Sequence, residues 1–256
     1  MEYRHVRLET EGEFSVLTMS RPERRNALSE EHLRELLDAI RRIGAGDTRG
    51  LVLAGEGPVF SAGHDFADME GRDLAAIRRL LGVCSEVMIG LQSLQQVTIA
   101  QVQGLATAAG CQLVASCDLA VCGESSRFAV PGGKGGLFCT TPGVALARAV
   151  ARKHALEMLL TGDPIDAPTA LAFGLVNRVV PDGEVPKATR ELLARATRGS
   201  AFSKALGKQA FYRQVDLDTP AAYAYASEVM AAASQIPDAQ ENMRAFLEKR
   251  PPRFSR

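Results

Sequence analysis

The sequence predicts an α/β fold with a helical C-terminal appendage, on three observations. Short continuous apolar runs, GLVLAG at 50–55 and VTIAQVQG at 97–104, read as strands covered on both faces. Between them lie longer segments in which leucine-type residues recur at helical spacing. After about residue 181 the strand-like runs stop, and Pro186 to Lys249 reads as helix in pieces broken near Gly199, Pro220 and Pro237. The core is read as 1–195 and the helical region as 196–256.

Each element follows from local chemistry. Residues 4–9 and 14–20 alternate apolar and polar positions around Glu11-Gly12-Glu13, the pattern of a hairpin. SRPERRNAL, 20–28, is a polar loop. Ser29 is placed to cap a helix carrying Glu30 and Glu31 in its first turn and Leu33, Leu36, Leu37, Ile40 and Ile43 on one face, with Gly44 at its end. A loop, GEGPVFSAGHDFADM, precedes a helix over 73–94. A helix opens near Ala109 and a strand near Asp118. Residues 123–143, rich in glycine and proline, read mostly as loop, with helices at 143–150 and 153–161. DAPTALAFGLVNRVVP, 166–181, reads as helix, glycine stop, strand.

Composition narrows the function classes. In 256 residues, 46% hydrophobic, a sizeable core is available. Lys plus Arg and Asp plus Glu balance at 30 each, which argues against a nucleic-acid-binding protein. Cys84, Cys111, Cys117, Cys122 and Cys139 lack a CxxC spacing and sit in apolar runs, so they read as small buried residues rather than disulfides or metal ligands. No run reaches the ~18 apolar residues of a membrane helix. The N-terminal MEYRHVRLETEGEF has no apolar signal core, so a cytoplasmic protein is expected, or a matrix one if a transit peptide has been removed.

Two glycine loops carry the chemistry. FSAGHDF at 60–66 and GLATAAG at 104–110 each stand between a strand and a helix start. Amides at such a start lack internal partners, and two that converge on one oxygen form an oxyanion hole.

RPERRNAL at 21–28, VFSAGHDFADM at 59–69, AQVQGLATAAGCQLVASCDLAV at 100–121 and ALEMLLTGDPIDAPTALAFGLVNRVVP at 155–181 resemble the crotonase (enoyl-CoA hydratase/isomerase) superfamily. The resemblance runs down to NMRAFLEKRPPRF at 242–254, and GLFCTTPGVALARAV at 136–150 is nearest to one subgroup. It implies a spiral of ββα units with a helical C-terminal trimerisation region, a homotrimer or dimer of trimers. It also implies binding of an acyl-CoA thioester with coenzyme A as part of the substrate, no separate cofactor and no metal. The oxyanion amides then fall on His64 and Ala109. CoA would lie along Ala62, Gly63, Asp65 and Phe66, with Arg25 and Ala27 nearby and Phe246 and Lys249 approaching a neighbouring subunit's site.

The chain leaves the family pattern at both hydratase glutamates, where Gln112 and Gly132 stand. Removing an acid/base group typically costs ~10²–10⁴ in rate, so ordinary hydration is expected to be weak or absent. Gln112→Glu alone is expected to do little, and the pair with Gly132→Glu to raise hydratase activity if the loop register is right. A non-catalytic acyl-CoA binder, and a decarboxylase or isomerase of the same superfamily, are the alternatives; Phe138 stands where the decarboxylase has a tyrosine. Cys139 falls where some relatives carry an aspartate and would need a lowered pKa to act. The loop 131–146 carries a register latitude of one residue. Asp65 reads as a cap, Asp118 as structural, Glu86 as solvated rather than as an acid, and the His64 imidazole as structural rather than as a base. GGKGG at 132–136 lacks the spacing of a phosphate loop, and GRDLAAIRRLL at 71–81 lacks a lysine run for RNA.

Overall fold

The computed structural model describes residues 3–254. In chain order these form β1 (Val6–Glu11), β2 (Phe14–Met19), α1 (Glu30–Gly44), β3 (Gly50–Gly55), β4 (Val59–Ser61) and α2 (Leu74–Ser93). β5 (Val97–Val102), β6 (Leu105–Thr107), α3 (Ala109–Ser116), β7 (Leu119–Gly123), β8 (Arg127–Ala129), α4 (Thr140–Ala149) and α5 (Arg152–Thr161) follow. The chain then runs through β9 (Ile165–Asp166), α6 (Ala167–Phe173), β10 (Arg178–Val180), α7 (Val185–Ala196), α8 (Ala201–Gln214), α9 (Thr219–Ser234) and α10 (Pro237–Leu247).

The unit β–β–α repeats three times, as β3-β4-α2, β5-β6-α3 and β7-β8-α4. The first strand of each unit joins a six-stranded sheet ordered β1-β2-β3-β5-β7-β10, and the second joins a four-stranded sheet ordered β4-β6-β8-β9. This is the expected ββα spiral. Pairing is parallel except for β1 with β2 and β8 with β9.

The continuous apolar runs have their reason in this layering. Leu51 and Leu53 of β3 enter the main core with α1 and α2, while Val52 enters a second cluster with Val16, Ile99, Val121 and Leu193. α7 closes that second face. Both faces of the strand are therefore buried, at roughly 1.5–3 kcal/mol for each large aliphatic side chain. α1 begins where the sequence places it, with Ser29 accepting from the His32 N–H at 3.2 Å. All five cysteines are free and buried.

Two readings are corrected. Residues 123–143 hold β8, and α4 starts at Thr140 rather than 143. Three residues are too few to show strand alternation, and Pro142 is tolerated in a first helical turn, where an N–H is not needed.

α8 is bound back onto the core by a polar hub at Asp118. Its carboxylate accepts from the Thr98 N–H at 2.7 Å and the Tyr212 hydroxyl at 2.8 Å, and pairs with the buried Lys208 at 2.8 Å. Lys208 also donates to the Leu91 and Gln96 carbonyls. α8 and α9 bury no residue fully, and Tyr223, Met230, Phe246 and Leu247 are largely exposed. No helix of the described residues is long and apolar enough to cross a membrane.

Candidate active site

β4 and β6 are parallel neighbours, so the chains leaving their C-terminal ends emerge side by side. This sets the 62–65 loop against the start of α3. Three of the four amides in that loop have acceptors. Ala62 donates to the Arg25 carbonyl, Gly63 to the Ser61 hydroxyl and Asp65 to the Leu28 carbonyl, at 2.9, 3.2 and 3.1 Å. The His64 N–H has no acceptor among the described residues. The ladder explains why: Leu28 donates to Gly63 and accepts from Asp65, straddling His64, whose own N–H and C=O face the other way.

On the facing element, Ala108 donates to the Ala129 carbonyl and Gln112 to that of Ala108. The N–H groups of Ala109, Gly110 and Cys111 are left free among the described residues, as at any helix start. Gly63 lets the two halves meet. A Cβ built on it would lie 2.8 Å from Ala108 Cβ and 3.1 Å from Ala109 N, and its φ of +81° suits only glycine. Ala109 is ordinary helix. The strain falls one residue earlier, at Ala108, with φ 50° and ψ −118°, a conformation that costs about 1–3 kcal/mol for a residue with a Cβ.

The donor end is braced from behind. Asn26, with φ 52°, donates to the Glu56 and Val59 carbonyls and accepts from the Arg21 N–H, while its carbonyl takes the Ser61 hydroxyl. Arg21 reaches the Ala27 carbonyl, Ser29 and Asp65, and Arg24 reaches Asp65. Asp65 caps the short helical turn that follows it by accepting from Ala67. Sequence reasoning missed Arg21, Asn26 and Ala108. The asparagine in RRNAL was the available signal, since Asn tolerates positive φ.

The opposite end is built differently. Gln112 is 4% exposed, and its Oε1 is shut off from solvent with no donor, an omission worth about 1–3 kcal/mol. At Gly132 a Cβ would overlap the Leu137 carbonyl oxygen and come within 2.6 Å of Cys139 Sγ. The loop curls around this residue, whose carbonyl accepts from Gly135 and Leu137 and whose N–H donates to Cys139 Sγ at 3.2 Å. A side chain at 132 would therefore require this loop to shift.

Three titratable groups near the site are held neutral by burial. Burial pushes the His64 imidazole below its ordinary pKa, against a weaker opposing effect of the Leu28 backbone. Burial pushes the Cys111 thiol up to about 12, with Cys139 adding to it, and raises Cys139 against the Gly132 N–H. No carboxylate, ammonium or guanidinium shifts any of the three. Cys139 thus lacks the lowered pKa that a base or nucleophile needs.

Of the other sequence-predicted residues, the structure brings Arg25, Ala27, Ala62, Gly63, Asp65 and Phe66 to the two hydrogen-bonded segments behind the hole. Phe66 is 74% exposed there, while Ala27 and Asp65 are buried. Phe246 and Lys249 lie on and just beyond α10, which packs on α9, and nothing ties them to this loop within one chain. Glu86 pairs with Arg41 on an exposed face. Lys134 pairs with Asp163. His5, Glu31 and Glu35 bring ligand-type atoms within 4.8 Å of one another. Glu35 is engaged there by the Arg4 and His5 N–H groups, and Glu31 by both side chains, so the cluster stitches the N-terminal segment to α1.

A sequence profile of the family described as Enoyl-CoA hydratase/isomerase matches residues 9–256. The mouse protein named Enoyl-CoA hydratase domain-containing protein 3, mitochondrial, is 45% identical over 243 residues, 93% of this chain and 80% of that protein. It represents the subgroup that the 136–150 segment resembles. The short-chain-enoyl-CoA hydratase of Clostridium acetobutylicum is 32% identical, over 98% of this chain and 97% of its own. Among solved structures, an enoyl-CoA hydratase of Mycobacterium smegmatis superposes with a TM-score of 0.95 at 42% identity, covering 98% of both chains. Human enoyl coenzyme A hydratase domain-containing protein 3 superposes with 0.94 at 42%, covering 98% of this chain and all of that one. With the ββα spiral and this match over nearly its whole length, the chain belongs to the enoyl-CoA hydratase/isomerase family.

Proposed function

We propose that the protein binds an acyl-CoA thioester and holds its carbonyl oxygen between the N–H groups of His64 and Ala109, stabilising a thioester enolate while hydrating enoyl chains poorly or not at all. The observation that carries this reading is the pairing of two acceptor-free amides, those of His64 and Ala109, across Gly63. Hydrogen bonds to the oxygen strengthen as negative charge develops on it, which is the part of catalysis these residues retain. Addition of water needs a base for the water and an acid for the α-carbon. Gln112, Gly132 and a neutral Cys139 supply neither.

The lack of a carboxyl side chain at Gln112, Gly132 and Cys139 also favours a second reading, a non-catalytic acyl-CoA-binding protein on the same scaffold. Phe138, which lacks the hydroxyl of the decarboxylase's tyrosine, weighs against a decarboxylase of carboxylated acyl groups. Coenzyme A enters as part of the substrate. The exposed apolar residues of α9 and α10 support assembly into a homotrimer or a dimer of trimers, with 196–256 as the oligomerisation region. A neighbouring copy would then supply Phe246 and Lys249. The relatives named as mitochondrial support a mitochondrial location.

The test separates binding from turnover. Crotonyl-CoA titrated into the protein is expected to bind, with hydration far below the ~10 s⁻¹ median of enzymes. Turnover near that median overturns the reading. Binding with no turnover on enoyl-, dienoyl- and malonyl-CoAs selects the non-catalytic form.

A further inference from the structure

We propose that the groove between the starts of β3 and β5 and the first turn of α8 binds a small polyol phosphate, with a hydroxyl at Arg49 and Gln96 and the phosphate at Lys204. This groove shares no lining residue with the proposed thioester site.

Arg49 and Gln96 stand side by side, because Gly50 pairs with Val97 in parallel register and each of the two residues comes one position earlier. The Val97 N–H donates to the Arg49 carbonyl at 3.3 Å. Both residues line a groove of about 1290 Å³, and each leaves one polar atom without a partner among the described residues. Gln96 is 5% exposed, and its Nε2 donates to the Ile43 and Gly46 carbonyls at 3.0 and 3.2 Å. Carbonyls only accept, so the amide cannot be turned round, and Oε1 is the atom left without a donor. Arg49 directs Nη2 to the Gly199 carbonyl and Nη1 to Glu13, 3.7 Å away, which leaves Nε without an acceptor. An orphaned acceptor and an orphaned donor at neighbouring positions match one hydroxyl group, which donates once and also accepts.

The facing wall supplies positive charge. Ser200 caps α8, its hydroxyl accepting from the Ser203 N–H and its carbonyl from the Lys204 N–H. The N–H groups of Ala201 and Phe202 are left without acceptors among the described residues, as at any helix start. Lys204, in the same turn, is exposed and has no ion-pair partner among the described residues. All three residues line the groove. Two free amides at a helix start with an ammonium beside them favour an anion, a phosphate above all. Phe202 and Phe254 add an apolar wall against which the carbon face of a polyol packs. A bare anion leaves Gln96 Oε1 without a donor, and a neutral polyol leaves Lys204 and the helix start without a counter-charge. A polyol phosphate satisfies both walls.

The experiment is a calorimetric titration of the full chain with glycerol 3-phosphate, methyl phosphate and glycerol at about pH 8, well above the second phosphate pKa of about 6. Glycerol 3-phosphate is expected to bind about tenfold more tightly than methyl phosphate, the worth of one well-made buried hydrogen-bonded group, and glycerol not measurably. Lys204→Ala is expected to weaken both phosphates alike. Gln96→Met is expected to bring their ratio to about one. Arg49→Lys, which keeps the charge without Nε, gives the same readout if the methionine variant does not fold. Equal binding of the two phosphates by the wild type, which marks an adventitious anion site only, overturns the proposal. So does a failure to bind glycerol 3-phosphate, or an affinity that Lys204→Ala leaves unchanged.

Discussion

The two halves of the proposed site are held by different parts of the chain. At the proposed donor end, the groups are main-chain amides, set by a network that includes Asn26, Ser61, the Leu28 ladder and the close approach at Gly63. At the other end, the working groups of a hydratase would be side chains, and here they are an amide, a hydrogen atom and a thiol. A backbone donor survives any substitution that leaves the loop in place, because every residue except proline carries an N–H. An acid or base disappears with one codon. On the proposed function, the difference accounts for a chain that keeps the family fold and its backbone donors without side chains suited to water addition. At Gly132 the loop is packed so that a Cβ would meet the Leu137 carbonyl oxygen and Cys139 Sγ.

If backbone placement is what the donor end depends on, Gly63→Ala breaks it most severely. The added Cβ meets Ala108 Cβ at 2.8 Å and Ala109 N at 3.1 Å, in a conformation with φ +81°. Overlap and backbone strain each cost about 1–3 kcal/mol, so a loss of roughly 4 kcal/mol is expected in urea unfolding. The methyl group also lands against the Ala109 amide, so thioester binding is expected to vanish even where the variant is folded. Near-wild-type thioester affinity in a folded Gly63→Ala protein would show that this contact does not form the donor end.

Acid separates the two ends next. His32 lies buried under the donor-end loop, with Nδ1 at 3.1 Å from the Ala27 carbonyl and Nε2 without a partner. Burial lowers its pKa from 6.5 to about 4, opposed by that backbone contact. The unfolded chain takes up the proton below about pH 6.5, whereas the folded one resists until about pH 4. The stability that a neutral His32 contributes is therefore complete above the unfolded pKa and lost as pH falls through this window, by roughly 3 kcal/mol. His64, shifted in the same direction, adds to the loss. Unfolding free energy measured from pH 7 to pH 4 is expected to fall accordingly, and His32→Phe to flatten the curve. The opposite end contributes nothing to this slope, since its Cys111 and Cys139 thiols are raised and stay neutral throughout. An unchanged slope in His32→Phe would remove acid sensitivity from the distinction.

How much of this was legible in the sequence follows the same divide. The two glycine loops, the Ser29 cap, the buried strands and the exchange at Gln112 could be read directly, because each rests on a local pattern or a residue identity. Asp65 and Asp118 were readable as structural residues, but Asp118 as the anchor of Lys208 and Tyr212, some ninety residues on, was not. Contacts across such distances leave no periodicity. The packing of the 132–139 loop was hidden for a related reason: the resemblance only points to Gly132 as standing in a glutamate's place, whereas the Cys139 thiol that accepts from its N–H is visible only in three dimensions.

Ala108 offers the smallest and most selective probe. The sequence directs attention to Ala109, yet Ala109 lies in ordinary helix and Ala108 takes φ 50° and ψ −118°. That turn sends the Ala108 N–H to the Ala129 carbonyl at 2.9 Å and leaves the next amide free. Glycine adopts the conformation without the Cβ penalty, while adding freedom to the unfolded chain worth about 0.4–1 kcal/mol. Relief of about 1–3 kcal/mol of strain outweighs this, so Ala108→Gly is expected to stabilise the protein by about 1 kcal/mol in urea unfolding. It also removes one of the contacts that press Gly63 toward α3. If the donor end is held by its hydrogen-bond network, thioester affinity stays within a factor of two of wild type. If it is held by the Ala108 methyl group, the added stability comes with a weaker hole, and the two measurements move in opposite directions.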